Sequence, residues 1–168
     1  MKNIALIGFM GAGKSTVAAI LAEKTHRTLV ETDGEILSVS EFSSVNAIFD
    51  KRGENYFRTL EQNVIAEIVK RDNQVISCGG GVISSKESME LLKKHAKVIF
   101  LHASFEAIKA RLKHTDTRPL FRQEEKAMLL YANRLPIYEG FADVTIDTDD
   151  KTPEEIVQLI IDKYSNER

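Results

Sequence analysis

The run Gly8-Phe9-Met10-Gly11-Ala12-Gly13-Lys14-Ser15 fits the pattern G-x-x-x-x-G-K-[ST]. In such a run, glycines let successive backbone N–H groups turn toward phosphate oxygens. Gly11, Ala12, Gly13, Lys14, Ser15 and Thr16 would then cradle phosphates at a helix N-terminus, where the helix dipole favours negative charge. Lys14 would reach the outer phosphates and the Ser15 hydroxyl would ligate Mg²⁺. The plain alternative is a glycine-rich turn that binds nothing. An apolar run before the motif and a helical pattern after it, with Val17, Ala18 and Leu21 on one side, favour the phosphate reading. A phosphorylated nucleotide is the ligand this spacing implies.

Acidic help has to come from elsewhere, because the strands reading Val75-Ile76-Ser77-Cys78 and Val98-Ile99-Phe100-Leu101-His102 end without an aspartate. Glu31 and Asp33, just past another strand, could divide the labour, one near the water shell of the metal and one near an acceptor hydroxyl. Asp33 could equally cap a helix. The cluster Asp147-Thr148-Asp149-Asp150 precedes Thr152 and reads as a turn and helix start rather than a metal site. Gly79-Gly80-Gly81 would weaken a regular element but lets backbone N–H donors approach a ligand closely. Arg58, with Glu54 four residues before it and Glu61 three after, fits surface ion pairs. If the fold brings Arg58 and Arg134 to one edge, they could instead hold a carboxylate in bidentate fashion, with Arg118 offsetting charge on a transferring phosphoryl group. His26, His95, His102 and His114 show no ligand spacing.

The elements that must position these groups follow from the apolar pattern. Ile4–Phe9, Gln74–Cys78 and Lys97–Leu101 read as buried strands, joined by the weaker Thr28–Glu31 and Asp143–Asp147. Helical spacing separates them, as in Phe57, Leu60, Val64, Ile65 and Ile68. This alternation predicts a parallel sheet with helices on both faces and ligands outside the carboxyl ends of the strands. The last helix is expected over Pro153–Tyr164, capped by Thr152 with Glu155 completing a capping box. Lys113–Gln123 carries little periodicity and suits a lid between two helices.

Composition narrows the class. At 168 residues, 43% hydrophobic and 29% charged, with 9 glycines and 3 prolines, the chain is expected to form one globular domain and falls outside disordered and collagen-like classes. A net charge of −2 gives no global field for nucleic acid or an anionic membrane. The single cysteine, Cys78, rules out an internal disulfide and a cysteine-based zinc site. No apolar stretch approaches the ~18 residues of a membrane span, and Gly8 interrupts the only run resembling a signal peptide. A cytoplasmic protein is expected.

Taken together, GFMGAGKST at 8–16, ETD at 31–33, IFDKRGENYFRTLE at 48–61, CGGGV at 78–82, TRPLF at 117–121, NRLPIY at 133–138 and IDTDDKTPEEI at 146–156 resemble the shikimate kinase family. The resemblance spans most of the chain, and the ordered set beyond the phosphate loop is specific. It implies an α/β fold like that of the nucleoside monophosphate kinases: a five-stranded parallel sheet of order 2-3-1-4-5 flanked by helices. One kinase domain over 1–168 would include a shikimate-binding region at about 33–61 and a short lid at about 113–123. The implied activity is transfer of a phosphoryl group from ATP, with Mg²⁺, to the 3-hydroxyl of shikimate on the way to chorismate, by a monomer without nucleic-acid or membrane partners.

Carried over by position, Asp33 resembles the aspartate that bonds the acceptor hydroxyl. Arg58, Arg134 and the glycines Gly79, Gly80 and Gly81 resemble the shikimate-binding groups, with Glu61 orienting Arg58 and with Phe49 and Phe57 lining the pocket. Arg118 resembles the lid arginine that contacts ATP and acceptor, Arg111 the one that packs on adenine, and Pro153 part of the loop bordering the base. Ser15 and Glu31 would serve the metal. The chain departs from the family in carrying Glu31 where aspartate is usual, and in lacking the glycine often found before Ile48-Phe49. Other readings are a kinase for another small acceptor such as gluconate, an adenylate-type kinase, or a nucleotide-binding regulatory module without transfer activity.

Overall fold

Five short apolar runs pair into one parallel sheet in the computed structural model, which describes residues 2–113 and 123–165. β1 (Asn3–Ile7), β2 (Thr28–Glu31), β3 (Gln74–Ser77), β4 (Ala96–His102) and β5 (Val144–Asp147) stand in the order β2-β3-β1-β4-β5. The parallel polarity is the one the strand–helix alternation predicts, and the order is the one the family resemblance implies. Successive strand residues point to opposite faces. Ile4, Leu6, Val75, Ile99 and Leu101 meet α1 (Lys14–Thr25) and α8 (Pro153–Ser165) on one face. Ala5, Ile7, Ile76, Val98 and Phe100 meet a larger cluster on the other.

That second face is covered by α2 (Thr32–Val39), α3 (Val45–Arg52), α4 (Glu54–Ile68), α5 (Lys86–His95) and α7 (Glu124–Phe141), with α6 (Phe105–Leu112) at its end. α4 docks through Phe57, Val64, Ile65 and Ile68, each burial worth roughly 1.5–3 kcal/mol. α3 has no counterpart in the sequence reading, and α2 only the helix that Asp33 could cap: they bury only Thr32 and Ile36, and Ile48, too few positions to show a period.

β2 has the bounds expected, the other strand ends lie within two residues of those expected, and one difference has a cause that matters. The first apolar run continues to Phe9, but the chain leaves the sheet after Ile7 because Gly8 passes against Leu101, whose carbonyl would lie 2.7 Å from a Cβ there. The register places Glu31 opposite Ser77 and Ser77 opposite Leu6, so three neighbouring strands release their loops at one edge. At the far end of the sheet the acidic cluster is a turn. Asp149 Oδ1 accepts from the Ser104 N–H at 3.0 Å, Asp147 Oδ1 accepts from the Asp149 N–H at 3.1 Å, and Asp150 has φ 56°. Thr152 and Glu155 then exchange the two bonds of a capping box.

Candidate active site

Between β1 and α1 the chain turns through Gly11 at φ 79° and Gly13 at φ 90°, a region that only glycine enters without strain. Gly13 is the N-cap of α1 and makes no side-chain cap bond, so the first N–H groups of the helix face outward with the dipole behind them. Lys14 is buried, its ammonium donating to the carbonyls of Gly8 at 2.8 Å and Phe9 at 2.9 Å. Lys14, Ser15, Thr16, Glu31 and Asp33 line a cavity of about 330 Å³ with the loop glycines. Ala12 is the exception among the phosphate-loop residues. Its side chain is buried in the core and its N–H donates to Phe9 O at 3.1 Å, so that donor closes the turn instead of facing a ligand.

A second cavity of about 620 Å³ opens beside the first. Arg58 enters it from α4 and Arg134 from α7, positions 76 apart in sequence. The surface reading of Arg58 does not hold. Glu61, which receives Arg58 Nη1 on its Oε2 at 2.7 Å, is fully buried, because it follows Phe57 by four residues and falls inside the apolar stripe of α4. Only Glu54, paired with Arg58 Nε at 3.5 Å, is exposed. Phe49 and Phe57 pack ring on ring at 4.7 Å, and the Arg58 guanidinium sits over both. Burial raises the Glu61 carboxyl above its ordinary value; the Arg58 charge pulls it down and the neighbouring Asp33 pushes it further up.

The two cavities share Met10, Asp33, Gly79 and Gly80. Asp33 lies in the first turn of α2 rather than at its N-cap, which is Glu31, so helix capping does not account for it. A Cβ on Gly79 would lie 2.8 Å from Asp33 Oδ1 and 3.6 Å from Glu61 Oε1, while one on Gly81 would lie 2.9 Å from Arg58 Cζ. Gly79 and Gly81 thus lie against the side chains of Asp33 and Arg58, whereas Gly80 lies against the backbone of the phosphate loop. Cys78, just before them, is buried, and burial pushes its thiol up to about 12, which removes it as a nucleophile at neutral pH.

Arg111 bridges the phosphate loop and the segment before α8, donating to Gly11 O and Thr148 O, each at 3.3 Å. Pro153 begins α8 and lines neither cavity. Arg118 and most of the expected lid lie outside the described residues. Two residues the sequence reading passed over also reach the site, Thr32 and Tyr138. Their signal was positional: Thr32 sits between the two candidate carboxylates, and Tyr138 follows Arg134 by one helical turn.

Among the described residues no group of three or more His, Cys, Asp or Glu could hold a metal. The hydroxyl of Ser15 and the carboxylate of Glu31, both in the smaller cavity, are few and hard oxygen donors. That set fits Mg²⁺, which keeps several waters and shares its shell with phosphates.

A parallel sheet of this order, a phosphate loop on its central strand and a carboxylate shared by two adjoining cavities define a small-molecule kinase of the nucleoside-monophosphate-kinase-like fold. Comparisons with known proteins narrow the class. The family model described as Shikimate kinase matches residues 10–165. A shikimate kinase of Dehalococcoides mccartyi is 40% identical over 98% of this chain and 96% of its own length. One of Sulfurihydrogenibium is 42% identical over 97% and 98%. The solved shikimate kinase from Acinetobacter baumannii in complex with shikimate superposes with a TM-score of 0.93 at 33% identity, covering 100% of this chain and 95% of that one. The chain belongs to the shikimate kinase family.

Proposed function

We propose that this enzyme moves the terminal phosphoryl group of ATP to the 3-hydroxyl of shikimate, giving ADP and shikimate 3-phosphate in the synthesis of aromatic amino acids. The observation that carries the reading is the position of Asp33, on the wall common to the nucleotide and acceptor cavities. A carboxylate there can accept the acceptor proton as the new O–P bond forms and the bond to the ADP oxygen breaks.

Arg58 and Arg134 hold the shikimate carboxylate, and the glycine turn offers N–H donors to its hydroxyls. Phe49 and Phe57 cover the ring and fix the plane of Arg58. Lys14 and the phosphate-loop N–H groups stabilise charge on the outer phosphates, and Arg118 offsets charge on the phosphoryl group in transfer. Arg111 flanks the base, and Pro153 with the residues before it borders it. Ser15 and Glu31 would hold Mg²⁺, which neutralises phosphate charge when bound. In this reading one domain suffices, working as a cytoplasmic monomer on a small diffusible acceptor; among the described residues no helix is long and apolar enough to cross a membrane.

ADP release from Mg-ATP, with and without shikimate and with gluconate and AMP as alternatives, tests the reading. Strong stimulation by shikimate alone is expected. Stimulation by another acceptor, or by none in protein that binds ATP, overturns it.

A further inference from the structure

A turn of three glycines has no side chains with which to fix itself, and glycine loses more backbone freedom on ordering than any other residue. In the Gly79-Gly80-Gly81 turn, Gly79 and Gly80 nonetheless belong to the wall between the two cavities, with Gly81 on the side of the larger one. A Cβ on Gly80 would stand 3.3 Å from Met10 N and 3.6 Å from Gly8 O of the phosphate loop, so small movements of the turn change both cavities. What fixes it comes from other elements. The Gly79 N–H donates to Thr32 Oγ1 at 3.0 Å, and the Tyr138 hydroxyl donates to the Gly80 carbonyl. Thr32 is fully buried and Tyr138 is 1% exposed, so neither hydroxyl serves solvent.

Each anchor also connects the turn to a group that acts on the substrates. Thr32 stands between Glu31 and Asp33 at the start of α2. Tyr138 lies on α7 one turn beyond Arg134 and is stacked on Phe100 of β4, with ring centroids 5.1 Å apart. The turn's Gly79 and Gly81 carbonyls accept from Val82 and Ser84, while the Gly80 and Gly81 N–H groups have no acceptor among the described residues. The two anchors thus hold the turn by atoms on its core side and leave donors for the acceptor.

We propose that Thr32 and Tyr138 are positioning residues for the acceptor: together they clamp the glycine turn so that its N–H donors, Asp33 and Arg134 hold one fixed relation. The identity of the acceptor rests on the shikimate reading, but the clamp itself does not.

Tyr138→Phe keeps the stacked ring and deletes only the hydroxyl; Thr32→Val keeps the shape and deletes the acceptor oxygen, with Thr32→Ser as the conservative rescue. Expected for both deletions is a five- to tenfold rise in KM for shikimate, with KM for ATP within twofold of wild type. Thr32→Ser should restore the wild-type value. Backbone NMR order parameters of the Gly79–Gly81 amides should fall in both deletion variants, a readout that needs no acceptor. Unchanged order parameters and unchanged KM for shikimate would overturn the clamp. So would a parallel rise of both KM values that follows a loss of Tm, which marks a structural role alone. Should Tyr138→Phe fail to fold, the Thr32 pair decides. A wild-type enzyme that ignores shikimate would refute the substrate, leaving the order parameters to judge the clamp.

Discussion

The phosphate loop and the acceptor pocket share a wall but are built on opposite plans. The loop occupies residues 8–16 without interruption and works through backbone N–H groups, needing glycines at strained angles and one lysine. The pocket draws Asp33 from α2, Phe49 from α3, Arg58 and Glu61 from α4, the glycine turn after β3, and Arg134 from α7. It works through side chains whose geometry depends on each other. Substitutions in the pocket should therefore separate acceptor binding from nucleotide binding, and the wall between them is where the separation should fail.

Asp33→Asn is the strongest test, since Asp33 belongs to both cavities. Loss of a proton acceptor at the reacting hydroxyl should lower kcat by about 10²–10⁴-fold. ATP affinity, measured by calorimetry, should stay within twofold. Near-normal turnover would remove Asp33 from the chemistry.

Arg58→Ala and Arg134→Ala come next. On the proposed reading each would remove a charged hydrogen bond to the acceptor carboxylate, worth about 1.5–3 kcal/mol, so KM for shikimate should rise roughly 10- to 150-fold with little change in KM for ATP. The two should differ in stability. Arg58→Ala strands Glu61, a fully buried carboxylate, without its cation and should lower Tm clearly; Arg134→Ala should not. Equal Tm losses would contradict the special burial of the Arg58–Glu61 pair.

Gly81→Ala acts more gently. Gly81 has φ −91°, an angle alanine adopts freely, so the new methyl meets only the far end of Arg58. Arg58 can yield, at the expense of its aim. A few-fold rise in KM for shikimate at almost unchanged Tm is expected, and an equal rise for ATP would show that the whole wall had moved.

The two plans also explain what could be read from the sequence. Phosphate-loop chemistry was legible from spacing alone, because its residues are consecutive and flanked by a strand and a helix. The strand order and the pocket residues came through resemblance, since no local pattern says that Arg58 and Arg134 meet. The apolar stripe of α4 even argued for a surface role for Arg58: a carboxylate at Glu61 reads as polar until the structure shows it inside the stripe. Thr32 and Tyr138 were missed because each acts through a backbone atom of a distant glycine, and their places beside Asp33 and one turn beyond Arg134 do not reveal that contact. Ala12 fits the motif, and its N–H donates to the Phe9 carbonyl.

The smallest expected effect concerns the charge of Glu61. Burial raises its carboxyl above the ordinary value, so in the window from that value up to the raised one the folded chain holds a proton that the unfolded chain has released. The stability contributed by the protonated form is complete below the ordinary carboxyl value and is lost as pH rises through the raised one. Glu61→Gln cannot titrate, so the Tm difference between variant and wild type should shift in favour of glutamine as pH climbs through that window. Acceptor binding should run the other way. The ionised Glu61 fixes Arg58, so KM for shikimate in the wild type should rise as pH falls through the same window, and this dependence should flatten in Glu61→Gln. A Tm difference independent of pH would mean that the Arg58 charge fully offsets the cost of burial. The pair would then be a permanent ion pair, and Arg58 would be held equally well at every pH at which the enzyme folds.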